Sequence, residues 1–118
     1  MKVFVIGASN NPERYSYIAA RMLVDHGHEV KLLALRADLN GEIPIVTDTN
    51  GDIPDRVTLY VGPKNQETWI PQIIQWKPEK VIFNPGTENS DFQEQLDKAG
   101  IAWEEACTLV LLQTGQWK

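Results

Sequence analysis

The sequence predicts an α/β fold in which a sheet of five parallel strands carries helices on both faces. Three observations support this prediction. Short apolar, β-rich runs alternate along the chain with segments of helical periodicity. The first 35 residues alone fit a strand, a helix and a second strand, which implies parallel pairing and a right-handed crossover. In addition, a glycine follows three of the five predicted strands at or near the carboxyl end.

The first unit is the best defined by its residue pattern. Strand one is predicted at Lys2–Ile6, a short apolar run typical of a strand buried on both faces. It leads into residues 7–14, which are turn formers without apolar periodicity. A helix follows, with Ser16 as its expected cap and Gly27 as its end. Strand two is then predicted at residues 28–35.

The remaining elements continue the same alternation. Residues 36–56 contain four turn dipeptides and predict a long loop with a short edge segment at 43–46. The later elements are strand three at residues 57–61, a helix from Thr68 with Pro71 in its first turn, strand four at 80–83, a helix from Ser90 to Gly100, strand five at 101–103 and a terminal helix at 107–113. This order describes a single Rossmann-like domain over residues 1–118, with strand one in the centre of the sheet.

The glycines at the strand ends predict a ligand crevice. Gly7, Gly62 and Gly86 follow strands one, three and four. Ligands of parallel sheets bind beyond the carboxyl ends of the strands, and glycine allows them to approach the backbone closely. Any one of these glycines alone is explained by an ordinary loop. The loop at residues 7–14 also opens a helix, so its free backbone N–H groups and Arg14 suit a phosphate.

Composition limits the possible partners and the location. The chain has 118 residues, 42% of them hydrophobic and 23% charged, which is typical of one folded domain. Its formal net charge of -5 argues against nucleic acid or an anionic membrane as the main partner. One cysteine excludes an internal disulfide. Because no signal peptide or membrane-length apolar run is present, we expect a cytoplasmic protein. The oligomeric state is left open.

The residues after strands one and two limit which nucleotide the crevice could bind. A dinucleotide fingerprint would place three glycines after strand one, but only Gly7 is present. It would also place an acidic residue after strand two, where this chain has Leu35 and Arg36. A cation at that position suits a phosphorylated ribose. Ordinary NAD is therefore disfavoured, while NADP and coenzyme A both remain.

The opening segment resembles that of a known family. Residues 5–16 read Val-Ile-Gly-Ala-Ser-Asn-Asn-Pro-Glu-Arg-Tyr-Ser and resemble the opening motif of the small bacterial CoA-binding proteins. Their domain is similar to the CoA-binding domain of the succinyl-CoA synthetase alpha subunit. Residues 26–30, 52–54 and 84–89 and Cys107 extend the resemblance over nearly the whole chain. Leu35-Arg36 and residues 61–64 depart from the family pattern, at the nucleotide end of the ligand.

The resemblance implies a small module that binds coenzyme A or an acyl-CoA, without implying catalysis. The resemblance implies that Gly7, Ala8, Ser9 and Arg14 contact the diphosphate, with Asn10 in the same loop. It implies that Leu35 and Arg36 border the adenosine and that Val61 and Gly62 lie on the pantetheine side. The remaining implied contacts are Asn84 and Gly86 in the loop after strand four. Cys107 is expected to be a buried structural residue; its alternative role is a mixed disulfide with the thiol of CoA.

Two other functions stay open, and neither catalytic nor metal-binding residues are evident in the sequence. His26 and His28 flank a helix end at a spacing that suits neither a triad nor a helical metal site, and both are expected at the surface. One alternative is an NADP-binding enzyme or subunit. The other is a protein-interaction domain with an empty crevice, whose partner surface would be supplied by Trp69, Trp76, Trp103 and Trp117.

Overall fold

The computed structural model describes residues 1–117, in which strands and helices alternate around one sheet. The strands are β1 Lys2–Ile6, β2 Glu29–Leu33, β3 Ile45–Val46, β4 Arg56–Leu59, β5 Lys80–Phe83 and β6 Ala102–Glu105. The helices are α1 Tyr15–Asp25, α2 Pro63–Gln66, α3 Ile70–Trp76, α4 Ser90–Ala99 and α5 Thr108–Gln113. None of these helices has both the length and the apolar character needed to cross a bilayer.

All neighbouring strands pair in parallel, in the order β3-β2-β1-β4-β5-β6. The Rossmann-like α/β class and the interior position of β1 are therefore confirmed. The predicted number of five strands is wrong, because the sheet has six. The additional strand is Ile45–Val46, inside the segment predicted as an edge segment. It has only two residues, too few for periodicity to reveal, and its place is held by pairing with Leu32 and Leu33 and by a bridge from Ile45 to Asp38.

The two faces of the sheet are covered by different helices. On one face, alternate strand residues such as Phe4 and Leu59 pack with Trp69 and Ile73 of the α2–α3 region and with Phe92 of α4. The opposite face consists of the intervening strand residues, packed against α1 and α5; its buried members are Val3, Val5, Ala20, Leu23, Leu32, Ile45 and Leu112. Strands buried on both faces explain why the strand segments are continuous apolar runs.

Two helix starts differ from their predicted positions. Ser16 does not cap α1: it is buried in the first turn, and Arg14 occupies the cap position with extended backbone. The helix predicted from Thr68 begins at Ile70, with Pro71 in its first turn as expected, and the short α2 precedes it. α4 begins at Ser90 as predicted, and its cap is Asn89.

Candidate functional site

The strand order changes direction beside β1, and this opens a crevice. The chain proceeds from β1 to β2 and β3 on one side, then returns to β4 on the other. Connections on the two sides diverge there, so a gap remains beyond the carboxyl ends of β1 and β4. Gly7 follows β1 with φ +90°, and a Cβ at this position would come 2.9 Å from the Tyr60 carbonyl and 2.6 Å from Val61 Cγ1. Only glycine therefore fits where the two strand ends meet.

The loop between β1 and α1 is held in shape by its own polar groups. The Asn11 N–H donates to Ser9 Oγ at 3.1 Å, and the Glu13 N–H donates to Asn11 Oδ1 at 3.0 Å. The Arg14 N–H donates to the Asn11 carbonyl at 3.0 Å. These bonds fold residues 9–14 into two successive turns that lead directly into the helix.

The amino end of α1 lacks the side chains that usually stabilise the start of a helix, as far as the described residues are concerned. Within the described residues, no side chain caps it, and its first turn carries no acidic residue. Within residues 7–16, the backbone N–H groups that have no acceptor among the described residues are those of Ser9, Asn10, Tyr15 and Ser16. Unsatisfied N–H groups at the positive end of a helix form a site for an anion.

Two cavities adjoin this loop and share Ser9. The central cavity, of about 640 Å³, is lined by Gly7, Ser9, Glu13, Arg14, Tyr15, Ser16 and Tyr60. The polar cavity, of about 610 Å³, is lined by Ala8, Ser9, Asn10, Ala34, Arg36, Ala37, Asp38, Leu39, Asn40 and Ile45. A Cβ at Gly41 would collide with the side-chain oxygen of Asn10, so the loop after β2 packs directly against the loop after β1.

The guanidinium groups of the two arginines that line these cavities are accessible to a ligand. Arg14 and Arg36 are both exposed, and neither forms an ion pair with any of residues 1–117. By contrast, Arg21 on α1 pairs with Glu42. The guanidinium of Arg56 is buried at the other end of the sheet, 5.1 Å from the ring centre of Trp117. Arg14 and Arg36 are thus available to an anionic ligand.

A third cavity adjoins the central cavity near Tyr15 and Tyr60. The apolar cavity, of about 470 Å³, is lined by Tyr15, Tyr60, Asn84, Pro85, Cys107, Leu109, Val110 and Gln113. It shares Tyr15 and Tyr60 with the central cavity. The polar, central and apolar cavities therefore adjoin one another along the carboxyl edge of the sheet, and we call the three together the groove. Burial raises the pKa of Tyr60 to about 12, so its phenol stays neutral at physiological pH.

The side chain of Asn84 is committed to the protein interior. Its Nδ2 donates to Thr58 Oγ1 at 2.6 Å and to the Leu59 carbonyl at 2.7 Å. Its Oδ1 accepts the backbone N–H of Thr108 at 2.9 Å. Asn84 thereby ties the end of β5 to β4 and to the start of α5.

The expected burial of Cys107 is not observed. Its side chain is half-exposed at the amino end of α5, where it lines the apolar cavity. Its neighbours Ala106 and Leu109 are also only half-buried, and Val110 is 49% exposed. The apolar sequence around Cys107 lines a groove instead of a core.

The predicted site residues separate into those that line the groove and those that do not. The lining residues are Gly7, Ser9 and Arg14 in the central cavity, Ala8, Asn10 and Arg36 in the polar cavity, and Asn84 in the apolar cavity. Leu35, Val61, Gly62 and Gly86 line none of the three. Leu35 is 61% exposed, and Val61 packs on the core beneath Gly7.

Tyr15 and Tyr60 are two of the lining residues that the sequence analysis did not propose as ligand contacts. Both join the central to the apolar cavity. Their positions carried a signal, since Tyr60 directly follows β4 and Tyr15 is the first residue of α1.

The histidines lie outside the groove. His26 is exposed at the end of α1, and the His28 ring contacts the Trp117 ring edge-on at 5.9 Å between centres. Within residues 1–117, no group of three His, Cys, Asp or Glu side chains is arranged to hold a metal ion.

Comparison with known proteins places the chain in a family. The family model described as "CoA binding domain" matches residues 1–113. No curated protein matches the chain significantly.

Solved structures of similar fold cover almost the entire chain. A crystal structure of an uncharacterised protein is 38% identical, with a TM-score of 0.92, 98% of this chain and 97% of that chain being covered. A protein from Thermus thermophilus is 19% identical, with a TM-score of 0.84, covering 98% and 90%. A conserved hypothetical protein from Pyrococcus furiosus is 25% identical, with a TM-score of 0.76, covering 92% and 97%.

Proposed function

The chain belongs to the CoA-binding domain family, and from this premise we propose that it binds coenzyme A or an acyl-CoA along the groove at the carboxyl edge of its sheet. The observation that carries the proposal is the uncapped amino end of α1. Its free N–H groups face a cavity that also holds an unpaired arginine, Arg14. A diphosphate supplies the negative charge and the acceptors that this end of the helix lacks.

The groove has a part for each chemical segment of such a ligand. The diphosphate lies in the central cavity, against Gly7, Ser9 and Arg14. The phosphorylated ribose and the adenine lie in the polar cavity, where Arg36 meets the ribose phosphate. The pantetheine arm continues past Tyr60 into the apolar cavity. Asn84 acts as a positioning residue beneath that arm, since its amide is already hydrogen-bonded to the protein.

Binding of CoA is tested by thermal unfolding with and without ligand. A ligand that binds only the native state, at one hundred times its dissociation constant, stabilises it by about 2.7 kcal/mol. For a domain of this size, the melting temperature is expected to rise by about 10 °C. Arg14→Ala removes a charge-assisted hydrogen bond to the diphosphate, so most of this rise should disappear.

The matched control is Lys98→Ala. Lys98 is an exposed cation in the last turn of α4, so this variant changes the net charge equally without touching the groove. It should retain the full response to CoA. Loss of the response in both variants would indicate a general charge effect and would contradict the site proposed at Arg14.

Arg36→Ala tests the nucleotide end. This variant should lower the affinity for CoA less than Arg14→Ala does. It should also reduce the difference in affinity between CoA and dephospho-CoA. NADP is the comparison ligand, because Arg36 would also suit its ribose phosphate. A shift with NADP and none with CoA would favour the dinucleotide alternative, and no shift with either would favour an interaction domain.

A further inference from the structure

We propose that the apolar cavity receives the acyl chain of a short-chain acyl-CoA, so that the protein binds the thioester more tightly than free CoA. This inference rests on the proposed function and adds the class of ligand to it. The cavity is the part of the groove farthest from the polar cavity, and it is joined to the central cavity by Tyr15 and Tyr60. A ligand anchored by its diphosphate therefore directs its thiol end into this cavity.

The walls of this cavity distinguish it from the other two parts of the groove. No Asp, Glu, Lys or Arg from residues 1–117 lines it, whereas the central cavity contains Glu13 and Arg14 and the polar cavity contains Arg36 and Asp38. Leu109, Val110 and Pro85 supply apolar surface instead. Val110 is 49% exposed, so covering it removes apolar surface from water.

Two polar side chains of the wall, those of Asn84 and Tyr60, offer little to a polar ligand, whereas that of Gln113 is exposed. Both amide hydrogens of Asn84 are donated to Thr58 and Leu59, and its oxygen already accepts from Thr108. The Tyr60 phenol is largely buried and remains neutral. A free thiol would gain little from such walls, while methylene groups gain from each apolar contact. The cavity of about 470 Å³ also has to hold the end of the pantetheine arm, and this limits the acyl chain to a few carbons.

The experiment measures dissociation constants for CoA and for acetyl-, butyryl- and hexanoyl-CoA by calorimetry. A fully buried methylene tightens binding about fourfold, and about twofold is expected in an open groove. Hexanoyl-CoA has four methylenes more than acetyl-CoA, so it is expected to bind about 16-fold more tightly. Equal affinities across the series would overturn the inference while leaving CoA binding intact. If neither CoA nor any thioester binds, the proposed function itself fails.

A pair of variants locates the effect. Val110→Asn replaces an apolar wall residue by a neutral polar one and should abolish the dependence of the affinity on chain length. Val24→Asn is the matched control, because Val24 is a similarly exposed helical valine, 41% exposed, that lies outside the groove. A chain-length dependence that persists in Val110→Asn would place the acyl chain elsewhere and overturn the inference.

Cys107 provides an independent readout, since it is the single cysteine of the chain and lines the same cavity. Saturating hexanoyl-CoA should slow alkylation of Cys107 several-fold, as followed by the mass of the protein. Adenosine 3′,5′-diphosphate lacks the pantetheine arm and should leave the rate of alkylation unchanged. Equal rates with and without hexanoyl-CoA, under conditions where calorimetry shows saturation, would exclude the acyl chain from this cavity.

Discussion

The loops that follow β1 and β5 begin alike and end differently. Each follows a buried strand and contains a glycine of nearly the same conformation, with φ +90° at Gly7 and +92° at Gly86. Each then leads into a helix. The amino end of α4 is capped by Asn89, whose Oδ1 accepts the Phe92 N–H at 3.2 Å, and Asp91 lies in its first turn. The described residues provide neither device to α1.

The β5–α4 loop also forms more side-chain hydrogen bonds of its own, although residues 88–91 have backbone N–H groups without an acceptor among the described residues. The Gly86 N–H donates to Glu88 Oε1 at 2.8 Å, and Thr87 Oγ1 donates to the Asn84 carbonyl at 2.7 Å. Asn89 Nδ2 donates to the buried Gln66 Oε1 at 2.9 Å. A glycine after a strand is therefore compatible with two different roles. The β1–α1 loop, which has an unpaired arginine and neither a side-chain cap nor an acidic residue in the first helical turn, is suited to an anionic ligand, whereas the capped loop before α4 stabilises the fold.

The largest expected difference between the loops is in their tolerance of a side chain at glycine. An alanine at either position would have to adopt a positive φ, which lowers the free energy of unfolding by about 1–2 kcal/mol. At Gly7 the Cβ also meets the Tyr60 carbonyl at 2.9 Å, whereas no atom lies within 4 Å of a Cβ at Gly86. Overpacking adds about 1–3 kcal/mol, so Gly7→Ala should lower the free energy of unfolding by about 2–5 kcal/mol. Urea denaturation of both variants measures the difference. Equal losses would show that the loop after β1 can move away from β4.

A second prediction concerns the cap of α4. Asn89→Ala removes the cap, which costs about 1 kcal/mol, and leaves the buried Gln66 oxygen without its donor, which costs about 1–3 kcal/mol. The free energy of unfolding should therefore fall by about 2–4 kcal/mol. The rise in melting temperature with CoA should be unchanged.

The control for Asn89→Ala is Asn11→Ala in the β1–α1 loop. Asn11 is exposed, and among the described residues its side chain accepts only the Glu13 N–H. The unfolding free energy of Asn11→Ala should therefore change by less than about 1 kcal/mol. If Asn89→Ala proves equally mild, the cap and its bond to Gln66 do not distinguish the two loops.

Much of the fold could be predicted from the sequence because both faces of the sheet are covered. Buried strands such as β1 and β5 are continuous apolar runs, and their bounds agree with the predicted ones. β3 shows the limit of this approach. Its two residues are held at the sheet edge by partners on β2 and by Asp38, and these tertiary contacts leave no periodic pattern.

The candidate site could be predicted only in its general position. Glycines at strand ends mark the carboxyl edge, but they do not reveal which backbone groups are satisfied. The glycine pattern alone therefore does not distinguish Gly86 from Gly7, although the hydrogen bonds around them differ. Tyr60 was missed because its role depends on the divergence of the loops beside β1 and β4. Cys107 was expected in the core because its neighbours are apolar, and these neighbours face the groove.

The smallest expected effect, and the most direct comparison of the two helix starts, comes from giving α1 the cap it lacks. Arg14 occupies the cap position with φ -81° and ψ 140°, a backbone conformation in which a serine hydroxyl can accept the free Ser16 N–H. Arg14→Ser should therefore raise the free energy of unfolding of the ligand-free protein by about 1 kcal/mol. The same substitution removes the guanidinium proposed to hold the diphosphate and occupies an N–H group, so CoA should bind at least about tenfold more weakly. Stability and affinity thus change in opposite directions, and urea denaturation combined with calorimetry measures both.

The control at α4 is Asn89→Ser, which exchanges one good cap for another. It should change neither the affinity for CoA nor the contribution of the cap to the free energy of unfolding. If Arg14→Ser were to destabilise the ligand-free protein, the N–H groups at the start of α1 would already be satisfied, and the contrast between the two loops would fail.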